Sequence, residues 1–436
     1  MQTKVENATR PHFFYGWWIV VVGFILVIFG IGAYDYLRDQ IFELARPLGG
    51  SVTQMAMITS ISSLAGMIVT LAIGPIIDRF GPRKAMLIGI PMTGIGFLGL
   101  SFTPNSYAVL ILEGVVVGIG MSAGFLLPVQ TATANWFIKR RSIALTFICI
   151  ASVLGSELID LLDSQTMDAV NQRNTFLGLG LAMLAIGIPL AFVIKHRPEQ
   201  YGYLPDGQLQ SIRETGNLET EKLNHQSEIN YTLWQAMKTR TFWMLTIGTA
   251  LAIGFGAILR ANAVPFLLEK ELHFQVTLDI LKLAPIMGLV GIMLFGYLGD
   301  LFPKRYLLAI AVALQSASAI ILMTTGNTAQ LYLYVLVYSL GSGIIPLLLA
   351  IRADYFGRKA FATITAVTMF ISDIAGTTVS LGLLNLSHWL YDITESQQIY
   401  LLISLFIGFI PAAVFFFAKT PRMKRQVAAS TENSDS

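Results

Sequence analysis

Charge and cysteine are what this sequence has least of. Only 13% of its 436 residues are Asp, Glu, Lys or Arg and 54% are hydrophobic, against roughly a quarter charged in an ordinary soluble domain. So little charge cannot cover a water-facing surface of this size, so the surface is expected to face lipid. The single cysteine, Cys149, rules out an intrachain disulfide; lying in an apolar run, it reads as a small packed residue rather than a metal or redox site. No Gly-x-x-x-x-Gly-Lys-Ser/Thr loop is present, which argues against an ATP-driven pump on its own. There is no Gly-x-Ser-x-Gly elbow and no basic-aromatic pattern for nucleic acid. His225, His273 and His388 fall in or near loops with no metal-ligand spacing around them. No enzyme activity, cofactor, metal or nucleic-acid partner is expected.

Long apolar runs are what the chain does have. Twelve are long enough to cross about 30 Å of hydrocarbon, at approximately 15–42, 53–77, 84–102, 108–136, 142–164, 174–195, 241–267, 275–299, 305–325, 329–353, 361–386 and 397–418. The first is too long for a signal-peptide core and lacks a clean cleavage site, so it is expected to remain as a membrane helix. The one long polar segment, His196 to Arg240, has the composition of a flexible connector carrying short surface helices. The expected organisation is a six-helix bundle over 1–195, a cytoplasmic linker over 196–240, a second six-helix bundle over 241–418 and a cytoplasmic tail over 419–436. Basic residues set the orientation. Arg79, Arg83, Lys84, Lys139, Arg140, Arg141, Lys304, Arg305, Arg352, Arg358 and Lys359 fall on one side, with those of the termini, whereas the opposite loops hold Arg46, Arg173, Lys270 and Lys282. Both termini are therefore expected in the cytoplasm, with the chain multi-pass in a plasma membrane, the inner membrane in a bacterium.

One stretch repeats. Gly74-Pro75-Ile76-Ile77-Asp78-Arg79-Phe80-Gly81-Pro82-Arg83-Lys84 joins the second and third runs, and Gly296-Tyr297-Leu298-Gly299-Asp300-Leu301-Phe302-Pro303-Lys304-Arg305 restates its glycine, aspartate and basic pair 222 residues later (74 to 296, 78 to 300). Pro128 and Pro346 echo each other at an offset of 218, and Asn135-Trp136-Phe137 and Asp354-Tyr355-Phe356 at 219. Near-constant offsets over half a chain imply two duplicated six-helix bundles, an architecture that suits alternating access about a midplane site. The Gly-x-x-x-Asp-Arg-x-Gly-x-Arg-Lys pattern resembles the signature of the major facilitator superfamily. That resemblance implies an all-α membrane fold of twelve helices in two pseudo-symmetric bundles. It also implies that the loop latches the halves on the cytoplasmic side and releases as the carrier turns inward. Gly74 would allow close helix approach, Gly81 a tight turn, and Asp78 a carboxylate for another helix's N-terminal N–H groups. Arg79, Arg83 and Lys84 supply topology charge and partners for carboxylates. Asp300 and Arg305 are the second copy's gating residues, in a latch expected to be weaker because Pro303 replaces the glycine.

Charges inside the membrane are costly and mark a use or a partner. The first span carries Asp35, Arg38 and Asp39, and the seventh carries Arg260, which the offset of 226 between Trp17 and Trp243 places opposite Tyr34. In the resembled fold, spans one, four, seven and ten line the central cavity. Arg38, Arg260, Tyr34, Gln130 and Tyr338 are accordingly candidate substrate contacts; an ion pair pinning two helices, or snorkelling to the surface, is the alternative for the charged ones. Glu157 and Asp373 lie past mid-membrane in spans five and eleven, one helical turn apart after superposing the halves. A carboxylate withdrawn from water can exchange a proton near neutrality, so Asp373 is the first proton-coupling candidate, followed by Asp35 and Glu157; a hydrogen-bonded structural acid is the alternative.

Phe14-Tyr15-Gly16-Trp17-Trp18, the run from His196 to Gly207, and Asp354-Tyr355-Phe356-Gly357 resemble the monocarboxylate transporter and oxalate–formate antiporter group. Arg38 falls about where monocarboxylate carriers have a functional lysine. Span eight, Pro285 to Phe295, lacks that group's arginine, and Asp373 stands at or beside the place of the oxalate carriers' lysine. The expected function is proton-coupled transport of a small organic solute, foremost a monocarboxylate, by a monomer. A carrier or exporter of cationic or neutral compounds, and a non-transporting sensor with the same fold, are the alternatives.

Overall fold

The computed structural model describes residues 14–45, 51–103, 105–163, 169–207, 230–268, 274–394 and 397–421. The expectations for linker residues 208–229 and for the tail after Pro421 lie outside what it describes. Twelve helices carry the fold: α1 (Tyr15–Ala45), α2 (Val52–Phe80), α3 (Pro82–Ser101), α4 (Ser106–Trp136), α5 (Arg141–Asp163), α6 (Arg173–Val193), α7 (Arg240–Leu268), α8 (Phe274–Leu301), α9 (Lys304–Thr324), α10 (Thr328–Phe356), α11 (Phe361–Thr394) and α12 (Gln397–Phe417). Among the described residues ten of them are long and apolar enough to cross a membrane, and there is no strand. Large apolar side chains such as Ile68 and Ile88, each 61% exposed, point outward, as a lipid-facing surface requires.

Local chemistry sets the helix ends. Ser51 and Gln54 form a reciprocal capping box at the start of α2. Asn105 caps α4 by accepting from the Ala108 N–H at 2.9 Å, and Asn327 caps α10 from the Gln330 N–H at 3.0 Å. These caps stand 222 residues apart (105 to 327), so the repeat reaches down to the hydrogen bonds that start each helix. Gly81 ends α2 at φ +91°, a conformation costly for any residue with a Cβ. Pro303, at φ −60°, routes the corresponding turn through an ordinary backbone conformation and needs no glycine.

The halves meet along two equivalent contacts, α2 against α11 and α5 against α8. Gly74 makes the first close: a Cβ there would lie 3.0 Å from the Ala362 carbonyl, the Ala366 Cβ and the Thr363 Cα. Gly296 does the same against Thr146. Ile73, Ile77, Leu127, Ala362 and Ala366 pack around one contact, and Leu145, Cys149, Ile292, Leu349 and Ala350 around the other. Cys149 is thus a buried apolar packing residue, 2% exposed.

Candidate functional site: a cationic cavity and its latches

Two cavities adjoin, the larger lined almost wholly by the second half with Leu126 from the first and the smaller by both halves, and Asp373 and Met369 of α11 line both. The larger, about 780 Å³, is walled mainly by α7, α10 and α11. The smaller, about 290 Å³, is walled by α1, α2, α4 and α11. Helical spacing decides which side chains reach them. On α10 the stripe Tyr338, Ser342, Ile345, Leu349 and Arg352, at steps of three and four, faces the larger cavity. On α7, Gly256, Arg260 and Ala263 do the same. On α1, Tyr34 and Arg38 share one face four residues apart and line the smaller cavity.

Arg260 donates from Nη1 to the Tyr338 hydroxyl at 2.9 Å, and that hydroxyl donates to the Gly256 carbonyl at 3.4 Å. The tyrosine fixes the guanidinium while leaving its remaining donors toward the cavity. Across the small cavity the Tyr34 hydroxyl and Ser62 Oγ are 2.8 Å apart, and the Arg38 guanidinium lies 5.9 Å from the Tyr34 ring centre. Arg38, Arg260 and Arg352 are the cations on these walls and Asp373 the anion, among the described residues. The rest of the larger wall is mainly apolar, with Ala, Ile, Leu and Val beside Pro285 and Met369. This arrangement can bind a negatively charged head through guanidinium forks and surround an apolar body.

Gln130, Asp35 and Glu157 line neither cavity. Asp35 is rotated about 100° around the helix from Tyr34 and accepts from the Ser156 hydroxyl in the α1–α5 contact. Gln130 is buried within the first bundle, and Glu157 is half-buried on α5.

Arg352, expected among the loop charges, lies instead inside α10, 2% exposed, on the cavity wall. It attracts Asp373, and its Nε has no hydrogen-bond partner among the described residues. Arg141 and Arg358 are likewise buried rather than free topology charges. Glu113 is a further buried acid that the sequence reading does not single out. It sits in a π-helical turn of α4, Leu112–Val117, fully buried, and neither carboxyl oxygen has a partner among the described residues. A buried polar group without a partner costs about 1–3 kcal/mol. Glu113→Met is therefore expected to raise the melting temperature of the purified protein; a fall of similar size would show that the carboxyl has a partner.

At the end carrying the repeated motif, each aspartate caps a helix of the other half. Asp78 accepts from the Ala362 N–H at 3.0 Å, the Thr363 N–H at 2.8 Å and the Thr363 hydroxyl at 2.6 Å, all at the start of α11. Asp300 accepts from the Ser142 and Ile143 N–H groups at 2.9 and 3.1 Å, at the start of α5. A carboxylate on the positive end of a helix is favourable, more so out of water. The second latch has fewer bonds of its own but is backed by ion pairs. Asp354 binds Arg141 from the first half and Lys304 Nζ, the latter at 2.8 Å. Reciprocally, Arg358 of the second half donates to the Asn135 carbonyl at 2.8 Å and to Glu199 at 2.9 Å.

Of the motifs' basic residues only Lys304 serves one of these carboxylates, Asp354. Arg83 Nε donates to the Ile194 carbonyl at 3.0 Å, and Arg79 and Lys84 each lie 5.2 Å from the Phe80 ring centre. Arg305 sits over the Tyr306 ring and donates to its hydroxyl at 2.5 Å.

Twelve helices in two equivalent bundles, latched at one end around a charged cavity, are the architecture of a solute carrier. The model of the Major Facilitator Superfamily matches residues 13–380, and the chain belongs to that family. It is similar to the uncharacterized MFS-type transporter YcxA of Bacillus subtilis, 24% identical over 373 residues, covering 83% of this chain and 85% of that one. It is also similar to monocarboxylate transporter 9 of Gallus gallus, 26% identical over 172 residues, which is 39% of this chain and 34% of that protein. Among solved structures it resembles the Escherichia coli fucose:proton symporter FucP, with TM-score 0.65 at 13% identity over 92% of this chain and 98% of that one. The human organic anion transporter MFSD10 gives TM-score 0.66 at 13% identity, over 92% and 99% of the two chains. These structures share the fold.

Proposed function

We propose that this protein is a proton-coupled carrier of an organic monocarboxylate, working by alternating access. The observation that carries the reading is the cationic excess of the cavity walls: Arg38, Arg260 and Arg352 against Asp373 alone. A single carboxylate would sit on Arg260, the guanidinium that Tyr338 orients, with Arg38 as its counterpart in the other half. The apolar wall would hold the rest of the solute. The match to the chicken monocarboxylate transporter spans only about a third of that protein, so the substrate class rests on the cavity.

The latched end is the cytoplasmic end on this reading, because it gathers most of the loop cations. With Asp78 and Asp300 both engaged, the state described has its cytoplasmic side closed. The bundles would divide at a linker over 196–240, with a tail over 419–436 and both termini in the cytoplasm of a multi-pass inner-membrane protein.

Asp373 stands where both cavities meet and faces Arg352, which makes it the group to exchange the proton. Protonation would release Arg352, and deprotonation would restore the pair, so the charge seen by the substrate depends on the proton. Asp35, held by Ser156, and Glu157 remain behind it. Asparagine imitates the protonated acid. Asp373→Asn in proteoliposomes is therefore expected to abolish the stimulation of uptake by an inwardly directed proton gradient while retaining exchange of labelled for unlabelled substrate. Gradient stimulation equal to wild type would remove Asp373 from this role.

The reading as a whole is tested by a thermal-shift screen of the purified protein against carboxylates, amines and neutral sugars. Carboxylates are expected to stabilise it; stabilisation by amines alone would favour a cation carrier.

A further inference from the structure

The basic residues of the Gly74–Lys84 loop are left without a task by the latch, whose bonds run through Asp78. Together with Arg197 of the linker and Lys359 just before α11, Arg79, Arg83 and Lys84 line a separate cavity of about 680 Å³ at the latched end. The carboxylate on its wall, Asp78, already accepts three hydrogen bonds from α11. Glu199, in the linker beside it, is paired with Arg358 at 2.9 Å. Arg197 Nε is buried with no hydrogen-bond partner among the described residues. His196, also on the wall, is pushed down to about 4 by burial and then by the neighbouring Arg197 charge, so it is neutral at physiological pH and adds no further cation.

We propose that this cavity binds a phosphate group, and that its occupant favours the latched conformation. Five cations around one cavity exceed what a monocarboxylate can neutralise, and guanidinium forks beside lysine point charges suit a multiply bonding phosphate oxyanion. Phe80, 49% exposed and flanked by Arg79 and Lys84, ends α2 where apolar surface gives way to charge. That is the depth at which anionic lipid headgroups lie. A phosphodiester headgroup and a soluble phosphate share this chemistry. The coupling to conformation follows from which half supplies the walls. Arg79, Arg83 and Lys84 belong to the first half, and Lys359, Ala360 and Thr363 to the second. The cavity is complete only while α2 and α11 are in contact, and a ligand that binds one state alone shifts the equilibrium toward it.

The test uses the purified full chain in two arms: in detergent with added inorganic phosphate, and in nanodiscs of phosphatidylcholine with or without phosphatidylglycerol. Melting temperature and hydrogen exchange at the Ala362 and Thr363 amides, which Asp78 holds, are read in both. At least one probe is expected to raise the melting temperature and slow exchange at those amides. The dependence should weaken by about tenfold or more in Arg197→Gln/Lys359→Gln. It should be unchanged in Lys139→Gln, which removes an exposed charge elsewhere. Should the double variant not fold, Lys84→Gln repeats the comparison. A response to inorganic phosphate identifies a soluble anion, and a response confined to phosphatidylglycerol identifies a headgroup; either supports the site. No response to either probe, or an undiminished response in the variants, overturns it.

Discussion

Arg260→Gln is expected to lower kcat/KM for carboxylate transport by a hundredfold or more while leaving the melting temperature within a few degrees of wild type. Losing a charge-assisted contact to a desolvated carboxylate costs on the order of 3 kcal/mol, and each 1.4 kcal/mol is tenfold. The stability cost is small because Arg260 has one hydrogen bond to lose, that to the uncharged Tyr338 hydroxyl, and is otherwise exposed to the cavity. Arg260→Lys keeps the charge without the fork and should lie between the two, a distinction a purely structural arginine would not show. Tyr338→Phe frees the guanidinium without removing it and should raise KM more than it lowers kcat. Unchanged carboxylate uptake by Arg260→Gln, measured in proteoliposomes, would take Arg260 out of the binding site.

The second large effect is expected at the latch. Asp78→Asn replaces an ionised acceptor of three hydrogen bonds by an amide with one acceptor oxygen and an NH2 turned toward backbone donors. At about 1.5–3 kcal/mol for a bond to a charged group, the closed cytoplasmic side should lose about 3 kcal/mol or more. That shifts the balance with the opposite conformation by at least about a hundredfold. Hydrogen exchange at the Ala362 and Thr363 amides reads this directly and should accelerate. Asp300→Asn should have a smaller effect, because Asp354, held by Arg141 and Lys304, still ties that side together. Equal protection of these amides in Asp78→Asn and wild type would show that the latch does not set the conformation.

Much of this fold could be read before any coordinates. Hydropathy alone located all twelve helices, eleven of them to within a few residues, since a bilayer fixes how long an apolar run must be; α11 runs eight residues past its expected end, to Thr394. The doubled motif showed the two halves, and its aspartates do cap helices across the interface. What hydropathy could not show was the direction in which a helix turns its side chains. Arg352 looked like a loop charge because it lies near the end of α10; the three-and-four spacing from Tyr338 through Ser342, Ile345 and Leu349 was the signal that it faces inward. Asp35 and Tyr34 are neighbours in sequence, but a 100° turn sends one toward α5 and the other to the cavity. Glu113 carried a different signal, an acid inside the fourth apolar run, but its facing could not be read from spacing because a π-helical turn changes the register of α4 there. The basic residues of the first motif were assigned to carboxylates on charge alone, and their actual partners, a carbonyl and a phenyl ring, follow from chain geometry.

The central claim is that the cavity carries a monocarboxylate together with a proton. Proteoliposome uptake of labelled lactate and benzoate, with and without an inwardly directed proton gradient and beside an organic amine, tests it most directly. The account predicts uptake of at least one carboxylate, stimulated by the gradient, and none of the amine. Amine transport without carboxylate transport, or carboxylate uptake indifferent to the gradient, would contradict it.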